Sequence, residues 1–184
     1  MYEIPLTKGE TALVSAEDFD WLSDLRWCFA PGNGYAVHYY QDELGRNKTL
    51  FMHRLVMPRI LGGPIPKGLQ VDHINRNRID NRRENLRLAT RSQNQANKGL
   101  QINNTSRYKG VSFNQGKWEA RIRYQGRRIN LGRFDDPLSA AMMYDAASRL
   151  LYQDFAGCNF PEVVTTPYVG NQLEDVLSKY PLQK

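Results

Sequence analysis

Three strings decide how this chain reads: Val71-Asp-His-Ile-Asn75, Asn85-Leu-Arg87 and Gln93-Asn-Gln-Ala-Asn97. Leu69-Gln-Val71 reads as a short strand that runs into Asp72-His73. A loop rich in Asn, Arg and Asp follows as far as Asn85, and Leu86-Arg-Leu-Ala89 reads as a second strand. Thr90 or Ser92 then caps a helix through Arg91–Lys98. Phosphodiester hydrolysis needs a base to activate water, a cation to neutralise the departing oxygen, and a scaffold that holds both. His73 suits the base because imidazole titrates near neutrality. Asp72 suits a hard cation such as Mg²⁺, which takes oxygen ligands and keeps several waters. Neighbours on a strand point to opposite sides, so the two would approach a phosphate from different directions. Asn94, one turn into the helix, offers a second oxygen. Asp-His alone is also a common structural pair; the Asn spacing and the basic surroundings favour chemistry.

Charge is segregated around this unit. From His53 to Arg133 there are 18 Lys and Arg against 4 Asp and Glu, whereas the rest of the 184-residue chain holds 7 against 15. The net charge of +6 hides that contrast. A concentrated basic field attracts a polyanion, so the expected partner is nucleic acid. Arg76, Arg78, Arg82, Arg83, Arg87 and Arg91 read either as a solvated run or, for some, as backbone-phosphate contacts, with Arg87 the choice for the scissile phosphate. His53 reads either as a packed helix-start residue or as a phosphate contact. His38 reads as an ordinary strand residue. Two cysteines, Cys28 and Cys158, make a disulfide framework and a cysteine zinc site unexpected. No long apolar run or signal-peptide pattern is visible, so a soluble, cytoplasmic protein without membrane contact is expected.

The Asp-His pair, the Asn twelve residues after the His and the Asn nine residues later resemble the HNH (ββα-metal) endonucleases, especially phage and intron-encoded homing enzymes. His53-Arg-Leu-Val56 and Asn81-Arg-Arg-Glu-Asn-Leu-Arg87 resemble that family too. The resemblance implies that His73 is the general base, that Asp72 and Asn94 bind one divalent metal (Mg²⁺, or alternatively Mn²⁺), and that Asn85 braces the connecting loop. Asn stands at the third motif position in place of His, a variant found among homing members. Asn97 is the alternative ligand, three residues along the same helical face.

Farther along, Tyr108–Phe113, Lys117–Tyr124 and Arg127–Phe134 read as three strands joined by Gln115-Gly116 and Gln125-Gly126 turns. Asp136-Pro137 opens a helix, and Leu138, Ala141, Tyr144, Ala147 and Leu151 form its apolar face. Alternation places Trp118, Ala120, Ile122, Tyr124, Ile129 and Leu131 on one side of the sheet. Lys117, Glu119, Arg121, Arg123, Arg128 and Asn130 fall on the other, a basic face suited to the DNA major groove. Tyr108-Lys-Gly-Val111, Gly116-Lys-Trp118, Leu131-Gly-Arg-Phe134, Tyr144-Asp-Ala-Ala147 and Asn159-Phe-Pro161 are similar to the AP2/ERF domain. That similarity implies contacts to double-stranded DNA from Lys109, Arg121, Arg123, Arg128 and Asn130. Ser112, Arg121 and Asn130 depart from the plant pattern, so the recognised sequence does not carry over.

The expected architecture is α+β. It comprises an accessory segment at 1–49, a nuclease core at 50–98, a linker at 99–106, an AP2-like domain at 107–161 and a tail at 162–184 with a short helix, Gln172–Lys179. In the accessory segment Ser15 is expected to cap a helix over Ala16–Leu25. The expected activity is metal-dependent cleavage of double-stranded DNA. A monomer would nick and a homodimer would cut both strands. The rival readings are a DNA-binding regulator without catalysis and, less favoured, an RNA-directed protein, since the aromatic residues of the sheet fall on its packed side.

Overall fold

The computed structural model describes residues 1–100, 103–164 and 167–180, so parts of the expected linker and tail lie outside the described residues. The chain forms two compact units, Met1–Arg91 and Ser92–Lys184, and both are mixtures of helix and antiparallel sheet.

The first unit opens with a hairpin of β1 (Tyr2–Pro5) and β2 (Thr11–Val14), followed by α1 (Ala16–Ser23). Strands β3 (Cys28–Ala30), β4 (Tyr35–Gln41) and β5 (Asn47–Phe51) make a three-stranded sheet in that order. Helix α2 (Met52–Leu61) follows β5 directly and ends on Gly62, whose left-handed φ of 66° suits a residue without Cβ. A second hairpin, β6 (Leu69–His73) with β7 (Leu86–Thr90), pairs Asp72 with Arg87 and His73 with Leu86. Strands β1 and β3 were not legible: β1 carries a single buried side chain, Ile4, and β3 is three residues long.

One apolar core joins these pieces. Ile4, Val14, Leu22, Trp27, Met52, Val56, Val71 and Leu86 are buried together, so the N-terminal 50 residues and the Asp72-His73 hairpin pack as one body. Ser15 occupies the position before α1, but its hydroxyl makes no cap; Oγ instead accepts from Arg83 N at 2.9 Å. The expected capping bond is thus replaced by a long-range one. Asp18, fully buried on α1, accepts from Arg83 Nε at 2.6 Å and Nη2 at 2.9 Å, a bidentate pair 65 residues apart in sequence.

The second unit begins within α3 (Arg91–Asn97). Strands β8 (Val111–Asn114), β9 (Lys117–Tyr124) and β10 (Arg127–Phe134) form an antiparallel sheet ordered β10-β9-β8. Both turns carry left-handed residues, Gln115 at 47° with Gly116 at 75°, and Gln125 at 47° with Gly126 at 78°. That geometry matches the strand twist. The first strand is shorter than expected because Tyr108–Gly110 is a turn. At Gly110 any Cβ would collide with the Tyr144 ring.

Helix α4 (Pro137–Tyr152) starts as expected: Asp136 accepts from Ser139 N at 2.8 Å, with Pro137 at the first helical position. Ala141, Tyr144 and Ala147 face the core with Ile122, Ile129 and Leu131, whereas Leu138 is exposed and leaves the apolar face. Asp145 on this helix is buried and accepts from the backbone N–H of Asn159 and of Phe160, each at 2.7 Å, and from Asn159 Nδ2 at 3.0 Å. This network accounts for the pairing of Tyr144-Asp145 with Asn159-Phe160 in the sequence. A last helix, α5 (Pro167–Leu177), buries Leu173 and Leu177 in the same core, starting earlier than Gln172.

Replacing Arg83 by alanine strands a buried carboxylate. The expected loss is about 3 kcal/mol, at the lower edge for a broken buried pair because Arg83 is itself part-exposed, and urea unfolding measures it.

Candidate functional site

Hairpin β6–β7 carries the first two strings, and the eleven-residue loop Asn75–Asn85 between its strands is tied down at both ends. Asn85 Oδ1 accepts from Asn75 N at 3.0 Å, while Asn85 Nδ2 donates to the Asp80 carbonyl at 2.7 Å. Asn85 therefore closes the loop across its neck. Asp80, 1% exposed, accepts from Asn75 Nδ2 at 2.7 Å and is gripped by Arg82 Nε and Nη2, each at 2.8 Å. Burial opposes that charge, but the Arg82 and Asn75 bonds outweigh it and hold the carboxyl below its usual range. The loop is also stitched to β2: Leu13 N donates to Ile79 O at 2.9 Å, and Asn81 N donates to Leu13 O at 2.7 Å.

His73 ends β6 at 4% exposure. Its ring packs edge-on against His53 with centroids 5.2 Å apart, and Tyr35 lies against both rings at 5.9 and 4.8 Å. Nε2 of His73 stands 3.4 Å from Asn81 Oδ1. Burial pushes the His73 imidazole below its ordinary pKa, offset in part by the Asn81 contact and by the charges of Asp72 and Asp80. His73 is thereby held as a neutral ring, the state a general base requires. Burial, reinforced by the interaction with the neighbouring His73, pushes His53 down to about 3. Arg78 lies over the Tyr35 ring at 5.0 Å and donates through Nη1 to Asn33 O at 2.6 Å.

Asp72 is 5% exposed, and its Oδ2 accepts from Arg87 Nε at 2.9 Å. Arg87 thus contacts, through Nε, the carboxylate expected to hold metal. Among the described residues no group of three or more His, Cys, Asp and Glu side chains is placed to hold an ion. The donor chemistry at hand is one buried carboxylate with amide oxygens. That set fits a hard cation retaining waters and substrate oxygens, and it does not fit a four-ligand zinc site. Asn94 and Asn97 lie on α3 in the second unit; Asn97 is buried.

In the second unit Arg128 faces Arg123 across β10–β9, and Asn130 faces Arg121. Arg123, Arg128 and Asn130 are exposed. A bulge between Asn130 and Gly132 resets the alternation, so Arg133 joins this face opposite Glu119. Strict period-two reading missed Arg133, and the Gly132 in the strand was the available signal. Glu119, 5% exposed, lies between Arg121, Arg133 and Asn114: it is bonded to Arg121 Nη2 and Asn114 Nδ2 and stands 3.5 Å from Arg133 Nε. Lys109 donates through Nζ to the carbonyls of Ala96 and, at 2.6 Å, Lys98, so it closes the C-terminal end of α3.

The HNH endonuclease family profile matches residues 51–96. An uncharacterised HNH endonuclease of Acanthamoeba polyphaga mimivirus is 31% identical over 153 residues, covering 83% of this chain and 76% of that protein. This chain belongs to the HNH endonucleases. Protein 3.8 of Escherichia phage T7 is 34% identical over 96 residues, 51% of this chain and 78% of that protein. Dehydration-responsive element-binding protein 2D of Arabidopsis thaliana is 46% identical over 68 residues, 35% of this chain and 33% of its own length. The HNH nuclease therefore carries an AP2-like region as well. No solved structure matches the chain. No helix among the described residues is long and apolar enough to cross a membrane.

Replacing Asn85 by alanine in this HNH endonuclease leaves the Asp80 carbonyl and the Asn75 N–H without their bonds. The expected cost is about 1–3 kcal/mol, with faster amide exchange at Asn75 that hydrogen-exchange spectroscopy reads directly.

Proposed function

We propose that this HNH endonuclease hydrolyses double-stranded DNA in a metal-dependent, homing-type reaction at sites selected by its AP2-like sheet. The observation that carries the reading is the buried Asp72-His73 end of β6, fixed by the Asn85-closed loop. His73, held neutral against Tyr35 and His53, takes a proton from the attacking water. The bond to the 3′ oxygen breaks as the new P–O bond forms, leaving a 5′-phosphate and a 3′-hydroxyl. Asp72, oriented by Arg87, and Asn94 are the proposed ligands of one divalent ion, Mg²⁺ or alternatively Mn²⁺, with Asn97 the alternative to Asn94. That ion, when bound, neutralises charge developing at the departing oxygen. One such site cuts one strand, so a monomer nicks and a homodimer breaks the duplex.

The sheet supplies the addressing. Arg121, Arg123, Arg128 and Asn130 form two cross-strand pairs on one face, with Arg133 added by the bulge. Arg bonds the guanine edge and Asn the adenine edge in the major groove. Lys109, whose Nζ also bonds the end of α3, is the fifth proposed DNA contact.

On supercoiled plasmid with Mg²⁺, wild type nicks or linearises, EDTA stops the reaction, and His73→Ala binds DNA without cutting it. Tight binding with no cleavage under any divalent cation would establish a DNA-binding regulator instead. Arg123→Ala and Arg128→Ala each weaken duplex binding about tenfold. Wherever the lost contact is to phosphate, they also lower the slope of log affinity against log salt by about 1.

A further inference from the structure

Only three buried side-chain polar atoms among the described residues lack a hydrogen-bond partner: His53 Nδ1, Asn81 Nδ2 and Ser148 Oγ. Two of the three stand at His73. His53 touches it ring to edge at 5.2 Å, and the Asn81 amide meets its Nε2 at 3.4 Å through Oδ1. Both residues are more than nine-tenths buried, at 5% and 0% exposure. Buried polar groups are almost always paired, and an exception needs a reason. Neither side chain is loose. His53 is the second residue of α2, wedged among Phe51, Tyr35 and His73, and the Asn81 backbone is clamped to Leu13. The two idle groups are thus rigidly held beside the expected base.

We propose that His53 Nδ1–H and Asn81 Nδ2–H form an oxyanion pocket for a non-bridging oxygen of the scissile phosphate, which makes His53 a further catalytic residue. The inference rests on the nuclease reading above and names its phosphate site. Negative charge grows on the non-bridging oxygens as water attacks phosphorus. Donors fixed in a water-poor wall stabilise that charge without having to reorganise. Arg87 donates through Nε to Asp72, which ties that nitrogen to the carboxylate expected to hold metal. Arg78, over the Tyr35 ring at 5.0 Å, adds positive charge near the pocket. The Asn81 amide serves both groups at once: its oxygen faces His73 and its nitrogen faces the phosphate.

The test uses the full chain on supercoiled plasmid with Mg²⁺, under single turnover, with duplex affinity and Tm measured in parallel. His53→Phe keeps a ring and removes the donor. It is expected to slow cutting about 100-fold, the typical effect of deleting one oxyanion donor, at unchanged affinity. His53→Asn places an amide N–H near the Nδ1 position and restores cutting to within about tenfold of wild type. A folded His53→Phe protein that cuts within about threefold of wild type overturns the proposal, as does a His53→Asn protein no faster than His53→Phe. Should His53→Phe lower Tm, the wild-type protein decides through the His53 Nδ1 proton resonance, titrated with thymidine 3′,5′-bisphosphate in EDTA. A downfield shift on saturation supports the pocket and an unmoved resonance overturns it. A wild-type protein that cuts no DNA under any divalent metal removes the nuclease reading itself, and this inference with it.

Discussion

The constraint on which the rest depends is the fixing of the Asn75–Asn85 loop. A loop of that length on a two-stranded hairpin has no reason to be rigid by itself. Here its neck is closed by Asn85, its middle by the Asp80–Arg82–Asn75 network, and its flank by β2 through Leu13. Arg83 adds a bidentate hold on a fully buried Asp18. Asn81 and His73 keep their relative placement only because all of these act on the same short segment. Catalytic side chains need positions fixed to a fraction of an ångström, and such fixing comes from supporting bonds rather than from the reacting groups.

This changes how the N-terminal 50 residues are understood. Their outward sign in the sequence is an acidic balance, which suggests an accessory piece. In the structure they donate a wall of the site, through Tyr35, and the brace of its loop, through Leu13, Ser15 and Asp18. One of their acidic residues, Asp18, is the buried partner of Arg83 from the basic core. The arginine run is correspondingly divided: Arg82, Arg83 and Arg87 are tied to carboxylates, and Arg78 is laid on an aromatic ring.

Much of this was legible in the sequence. Period-two alternation and turn chemistry gave the three strands of the second unit, and Asp136-Pro137 gave the start of α4, since those signals are local. Asp72 and His73 stood out because their chemistry and spacing are specific. What escaped was non-local. Ser15 looks like a helix cap and instead serves Arg83; Arg87 also bonds Asp72, and Lys109 also bonds the end of α3, contacts that the sequence did not show. Each of these polar groups satisfied a partner distant in sequence, which no local pattern encodes. Arg133 escaped for a different reason, a one-residue bulge that shifts the alternation.

The central proposed step is cleavage, by this HNH endonuclease, of the bond between phosphorus and the 3′ oxygen of a DNA strand. The most direct test is to nick supercoiled plasmid in Mg²⁺, quench with EDTA, and treat the purified product with DNA ligase. Resealing without any other enzyme is the predicted result, since it requires a 5′-phosphate beside a 3′-hydroxyl. A nick that ligase closes only after removal of a 3′-phosphate and phosphorylation of the 5′ end, or a plasmid left uncut, would contradict the account.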